Sequence, residues 1–237
     1  MTELASVDAC KGGWVVAKSY TWPCREMPHL YLCPDFRTVL ALTADCKRVA
    51  VDIPVGIPSG KQIRRCDQEA KTFLRKNNHN PSAVFLTPPR ECLPAKTPEE
   101  FQQLHKQARG VGAGYPVWGI MKKVKQVDKA MTPELQDQII EFHPELAWLR
   151  LAGRNLSSKH GVEGIAERKN VLTSMVPELK ELLNWKDSLG RAAALDDLLD
   201  ALSGLAVAKA SLRSSSYRLP ADKTESDARG LRMQIWY

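Results

Sequence analysis

Short apolar runs that each stop on a carboxylate constrain this chain more than any other feature. Asp8 closes Leu4-Ala-Ser-Val, Asp52 closes Arg48-Val-Ala-Val, and Glu141 closes Gln138-Ile-Ile. A carboxylate at the end of a buried strand cannot enter the core unpaired, so it must meet water, a cation or a donor. Asp197 and Asp200 stand three residues apart in Asp-Leu-Leu-Asp-Ala-Leu, which on a helix puts both on one face. Gathered in one place, these acids form an oxygen donor set for a hard cation such as Mg²⁺. Phosphoryl-transfer enzymes often hold two such ions about 4 Å apart.

Composition narrows the setting for that chemistry. A chain of 237 residues with 43% apolar content can bury a full core, and one elaborated α/β domain over residues 1–237 is the expectation. The sequence has no apolar run of about 18 residues and no charged-then-apolar leader, so a soluble, cytoplasmic protein without a membrane partner is expected. The cysteines, Cys10, Cys24, Cys33, Cys46, Cys66 and Cys92, form no C-x-x-C pair and have no zinc-like His spacing. They read as thiols in a reducing compartment.

The net charge of +7 is unevenly placed. Residues 61–130 hold 14 Lys and Arg against 6 Asp and Glu, so nearly all the basic excess lies there. Such a segment attracts polyanions through counterion release, and the competing reading is a solvated helical face. Lys11, Arg64, Arg65, Arg90, Lys122, Lys123 and Lys125 are the candidate nucleic-acid contacts. Lys159 and Arg168 could also grip phosphate, or equally serve in ion pairs.

Along the chain, Leu4 to Asp8 reads as a strand, Lys11-Gly-Gly as a turn, and Trp14 to Tyr20 as the hairpin partner. Leu30 to Cys33 adds a third strand. Asp35 can cap a helix to about Ala44, and Arg48 to Asp52 is a buried fourth strand ended by Pro54 and Pro58. A basic helical and loop insertion follows over 61–136, broken by prolines and by Gly110-Val-Gly-Ala-Gly-Tyr-Pro. Gln138 to Phe142 is a fifth strand, Pro144 suits a helix start, and Arg191 to Leu212 has helical apolar spacing. Residues 213–237 read as a tail.

This order of elements is the plan of the RNase H-like fold, a mixed five-stranded sheet flanked by helices with an insertion after the fourth strand. Val7-Asp8-Ala9-Cys10-Lys11-Gly12-Gly13-Trp14-Val15, Val51-Asp52-Ile53-Pro54-Val55-Gly56-Ile57-Pro58, Arg65-Cys66-Asp67, Glu141-Phe142-His143-Pro144-Glu145 and Asp196-Asp197-Leu198-Leu199-Asp200-Ala201-Leu202 sharpen the match. Together they resemble the family catalogued as domain of unknown function 429, described as predicted RNase H-like nucleases. Lys11 stands where that family usually has Arg, and Ala9 where Gly is common.

The resemblance implies a metal-dependent nuclease. Asp8 matches the first-strand acid of the superfamily and Asp52 the fourth-strand acid. Asp197 and Asp200 match the Asp-x-x-Asp-Ala-Leu of RuvC-type resolvases, and Glu141 the acidic fifth strand of YqgF-type proteins. On this reading Asp8 bridges two Mg²⁺ or Mn²⁺ ions, Asp52 and Glu141 hold one, and Asp197 with Asp200 the other. His143 is a candidate proton shuttle, or else a helix cap. A nucleic acid is the expected partner, and pairing into a homodimer is left open. A small-molecule or nucleotide phosphotransferase or hydrolase on the same plan, and a non-catalytic nucleic-acid-binding module, are the competing functions.

Overall fold

The computed structural model describes residues 3–24, 27–182, 191–213 and 217–237. In chain order these form β1 (Leu4–Cys10), β2 (Gly13–Ser19), β3 (His29–Cys33), α1 (Phe36–Leu42), β4 (Arg48–Val51), α2 (Arg65–Lys76), α3 (Pro98–Arg109), α4 (Tyr115–Ala130), β5 (Ile139–Glu141), α5 (Pro144–Ala152), α6 (Val162–Met175), α7 (Leu179–Leu182) and α8 (Leu195–Ala210), with short 3₁₀ turns and strand pairs besides. The chain divides into two compact units. Residues 1–53, 137–217 and 236–237 make a sheet unit, and residues 54–136 with 218–235 make a helical unit. The basic segment thus builds a compact body of its own together with most of the C-terminal residues, which join it rather than trail as a tail.

The sheet unit is an α/β fold around a mixed five-stranded sheet of order β3-β2-β1-β4-β5. β1, β2 and β3 are antiparallel neighbours, while β4 runs parallel to both β1 and β5. Side chains alternate between faces, so register decides which residues share a layer. One face carries Leu4, Ser6 and Asp8 beside Val15, Ala17, Ala50, Ile140 and Phe142, and most of these pack into one core with α5, α6 and α8. The other face includes Trp14, whose ring meets Phe36 of α1 at 5.2 Å.

Local signals explain the element boundaries. Asp35 accepts from the Thr38 amide at 2.8 Å and starts α1 as expected. Pro144 fills the first turn of α5, where its missing N–H costs nothing, and Gly153, with φ +64°, closes it in the left-handed conformation.

The helical unit has a separate apolar cluster of Cys92, Ala95, Phe101, Val117 and Met121 between α3 and α4, with Phe101 and Trp118 rings 5.5 Å apart. A two-residue strand pair, Glu225–Ser226 with Arg232–Met233, completes it. All six cysteines are buried thiols with no disulfide. Among the described residues, no helix is long and apolar enough to cross a membrane.

Candidate metal centre

The sheet register puts two of the expected acids side by side. Val7 pairs with Val51 across β1 and β4, and the Asp52 amide donates to Val7 O at 2.9 Å, so Asp8 and Asp52 follow as neighbours at the strand ends, on the face that α8 covers. The two carboxyl groups shift each other's hold on their protons, so they act as one electrostatic unit. Asp8 is buried, and its Oδ1 accepts from the Ala9 amide at 2.8 Å.

α8 brings the other pair. Asp200 is fully buried and fully engaged: Oδ1 accepts from the Trp148 indole N–H at 2.7 Å and Oδ2 from the Lys159 ammonium at 2.7 Å. Asp197 accepts from the Ala194 amide at 2.7 Å and so caps the helix that carries it. At the tip of the β1–β2 turn, the Gly12 amide donates to Ala192 O at 2.6 Å, and a Cβ at Gly12 would lie 2.8 Å from the Ala192 Cβ. That close approach ties the end of β1 to the start of α8.

Electrostatics confirm that these groups sense one another. Burial, then the charges of Asp52, Asp200 and Asp197, hold the Asp8 carboxyl well above the ordinary carboxylate range, against the pull of Lys159. Burial and the Asp200 charge push Asp52 up to about 7, with Lys159 again opposing. Asp197 rises to about 6, mainly through burial, with Asp196 adding to it. For Lys159 burial acts downward, but Asp200, Asp52 and Asp8 outweigh it and leave the ammonium more basic than an ordinary lysine.

The arrangement is an anionic cluster with a lysine ammonium as its built-in counter-ion. Its donor set suits Mg²⁺ or Mn²⁺, since such ions take oxygen ligands and Mg²⁺ is typically held by one or two carboxylates plus waters. Asp8, Asp52, Asp197 and Asp200 are the residues that would hold it. No three of these residues bring one carboxylate oxygen each within 4.8 Å of one another; among the described residues only Glu3, Asp45 and Cys46 bring three ligand atoms that close. The Lys18 ammonium occupies that trio, 3.0 Å from Glu3 and 3.1 Å from Asp45, so it is an ion-pair cluster.

Several expected site residues fall elsewhere. Glu141 pairs with Val51, so it takes the sheet face opposite Asp8 and Asp52 and does not join them. His143 caps α5, its Nδ1 accepting from the Glu145 amide at 3.2 Å. Glu145 adds, after burial and Asp200, to the Asp52 shift, and the buried Arg168 guanidinium pairs with it at 3.1 Å. Trp148 gave no sequence signal, because a tryptophan at helical spacing reads as core.

The basic candidates mostly serve the fold. Arg64 is fully buried against Asp67 at 3.3 Å, and Arg65 pairs with Glu69 and Asp222. Arg90 bridges Asp128 and Asp227, and Lys125 donates to Ala95 O. Lys11 and Lys122 are exposed, while Lys123 is partly buried.

Replacing Lys159 by methionine leaves Asp200 with the Trp148 indole as its remaining side-chain donor. The loss in unfolding free energy is about 2 kcal/mol, the scale of a charged hydrogen bond, since the lysine is 30% exposed and water can reach part of the gap. Mn²⁺ titrated into the variant should restore its melting temperature more than it raises the parent's. An unchanged apo melting temperature would show that Lys159 neutralises nothing that matters.

No curated protein and no solved structure matches the chain. A family model described as "Protein of unknown function (DUF429)" matches residues 7–225, a span that takes in β1 from Val7 onward, β4, β5, α8 and every acid of the cluster. The chain belongs to the DUF429 family.

Proposed function

We propose that the sheet unit is an RNase H-like phosphodiesterase that hydrolyses nucleic acid with the help of a divalent metal. The single observation that carries the reading is the meeting of Asp8 and Asp52 with Asp200 of α8 around the Lys159 ammonium. The strand order, with three antiparallel strands followed by two parallel ones, supports the same fold assignment.

Asp8, Asp52, Asp197 and Asp200 would hold Mg²⁺ or Mn²⁺, which would supply an activated water and charge neutralisation at the phosphoryl oxygens. The protein's own groups set the stage for that. Burial and neighbouring carboxylates hold protons on Asp8 and Asp52 above the ordinary carboxylate range, and losing those protons would ready both as ligands. Trp148 and the helix packing fix Asp200, so its carboxylate is oriented before any ligand arrives. Lys159 keeps a positive charge at the site that favours an anionic phosphodiester.

Bis(p-nitrophenyl) phosphate and labelled single-stranded and branched DNA, each with Mn²⁺ or with chelator, test the reading. Mn²⁺-dependent cleavage of a diester is the expected result. Failure of every diester, together with no Mn²⁺ binding by calorimetry, removes it.

One observation favours a second reading, a small phosphoester substrate. The internal pairing of Arg64, Arg65, Arg90 and Lys125 leaves fewer cations for tracking a backbone than the charge count promised. The exposed Lys122 and Lys129 of α4 separate the two. If the helical unit grips nucleic acid, changing both to Glu should flatten the slope of log affinity against log salt by about 2, roughly one unit per phosphate contact. An unchanged slope in fluorescence anisotropy, or no binding, turns the choice to the small substrate.

A further inference from the structure

The cation of the acidic cluster comes from the loop between α5 and α6, and the fold holds that loop in place. The Ser157 amide donates to Glu167 at 2.6 Å, and the Ser157 carbonyl accepts from the buried Arg168 guanidinium at 2.8 Å. Gly164 lets the loop lie close on α6, since a Cβ there would come 2.1 Å from Ser158 O. Lys159 follows this anchored stretch and sets its ammonium 2.7 Å from Asp200 Oδ2. A lysine placed this way has given up much of the rotamer freedom that an ordinary surface lysine keeps.

Two further features make this ammonium a resident cation of the cluster. Asp200 is fully buried with Oδ1 on the Trp148 indole, so Lys159 is the charged partner that offsets its charge. The charges of Asp52 and Asp8 act on the same ammonium. Two-metal sites keep like-charged ions about 4 Å apart, which works only where carboxylate oxygens crowd around both. In this cluster no three acids bring one oxygen each within 4.8 Å of one another, and one positive charge already stands at Asp200. Mg²⁺ is typically held by one or two carboxylates plus waters, so the cluster can serve one ion without a closer gathering of acids. A lysine ammonium is a compact point charge that suits the remaining place.

Given the metal site proposed above, we propose that the cluster takes one divalent ion rather than the two that the family resemblance implies, and that Lys159 is the positioning residue standing in for the second. Without the ammonium, the buried Asp200 carboxylate draws a second ion to its side of the cluster.

Calorimetric titration of the full chain with Mn²⁺, beside electron paramagnetic resonance of the loaded protein, counts the ions. Only ions lost in Asp8→Asn belong to the cluster. One Mn²⁺ per chain is expected for the parent, with the spectrum of an isolated ion. Lys159→Met should take two and show the spectrum of a coupled pair, whereas Lys159→Arg, which keeps the charge, should take one. A lysine that served only to hold the loop would leave the count the same in all three. Lys159→Gln, which keeps a neutral donor for Asp200, should also take two, and it carries the test if melting shows that Lys159→Met does not fold. Two Mn²⁺ in the parent or in Lys159→Arg, or fewer than two in the folded neutral variants, overturns the proposal and leaves the metal reading standing. No Mn²⁺ binding by the parent removes both.

Discussion

Asp8→Asn should fold as well as the parent or better, and, on the proposed function, should lose both the stabilisation by Mn²⁺ and the metal-dependent hydrolysis. In the apo protein Asp8 is a buried carboxyl crowded by Asp52, Asp200 and Asp197, so an amide of the same shape removes repulsion while it keeps packing. With metal the balance reverses. A ligand at about 100 times its Kd stabilises a fold by about 2.7 kcal/mol, which is about 5 to 10 °C for a chain of this size. Losing an ion worth several kcal/mol in the transition state lowers kcat by on the order of 10³. Thermal melts with and without Mn²⁺, beside diester hydrolysis, measure both effects. A variant that melts well below the apo parent would mean that Asp8 serves the β1–β2 turn instead.

The same cluster sets a pH dependence through Asp52. An aspartate in the unfolded chain titrates near 3.9, whereas in the fold burial and Asp200 hold the proton on Asp52 up to about 7. Below about pH 4 both states keep the proton and Asp52 contributes nothing to the difference. As pH rises through the window from about 4 to about 7, the folded state binds more protons than the unfolded one, so the parent loses stability. Above that window the penalty is constant. Asp52→Asn has no proton to lose, so without metal its advantage over the parent should grow from about pH 4 to about pH 7 and then level off. A difference that is flat across the window contradicts the burial of this group.

Gly204→Ala should be strongly destabilising for so small a change, a single methyl on α8. A Cβ at Gly204 would lie 2.0 Å from Ser6 Oγ and 2.6 Å from Phe142 Cζ, well inside contact distance. Ser6 lies in the central strand and the Phe142 ring is buried in the core, so neither can clear that space cheaply. The helix must lift from the sheet, at a cost of about 3 kcal/mol or a fall of about 10 °C in melting temperature. Lifting α8 also carries Asp197 and Asp200 away from Asp8 and Asp52, so Mn²⁺ should stabilise the folded variant less than the parent. Gly119→Ala in α4 is the control: nothing lies within 4 Å of its added methyl, and helix propensity favours alanine by about 1 kcal/mol. A Gly204→Ala melt within about 1 °C of the parent would remove the close-contact account of this helix.

Much of the sheet unit was legible from local pattern. Alternating and β-branched runs located β1 to β5, Asp35 and Pro144 marked helix starts, and apolar spacing traced α8, because strand and helix periods are properties of neighbouring residues. The placement of Asp8 and Asp52 late in or just past their strands, and of Asp197 and Asp200 on one helix, followed from the same patterns. Which acids meet was a different matter, since a face of the sheet depends on pairing between strands far apart in sequence. The Val51–Glu141 pairing puts Glu141 on the side away from Asp8, and no local signal carries that register. Ion pairs are equally non-local. Lys159 meets Asp200 across 41 residues and Arg90 meets Asp227 across 137, so one lysine from a polar loop became the cluster's counter-ion while arginines from the basic segment became internal struts. A charge count measures what a segment carries; burial and pairing, which arise only when the chain closes on itself, determine how much of that charge faces a partner.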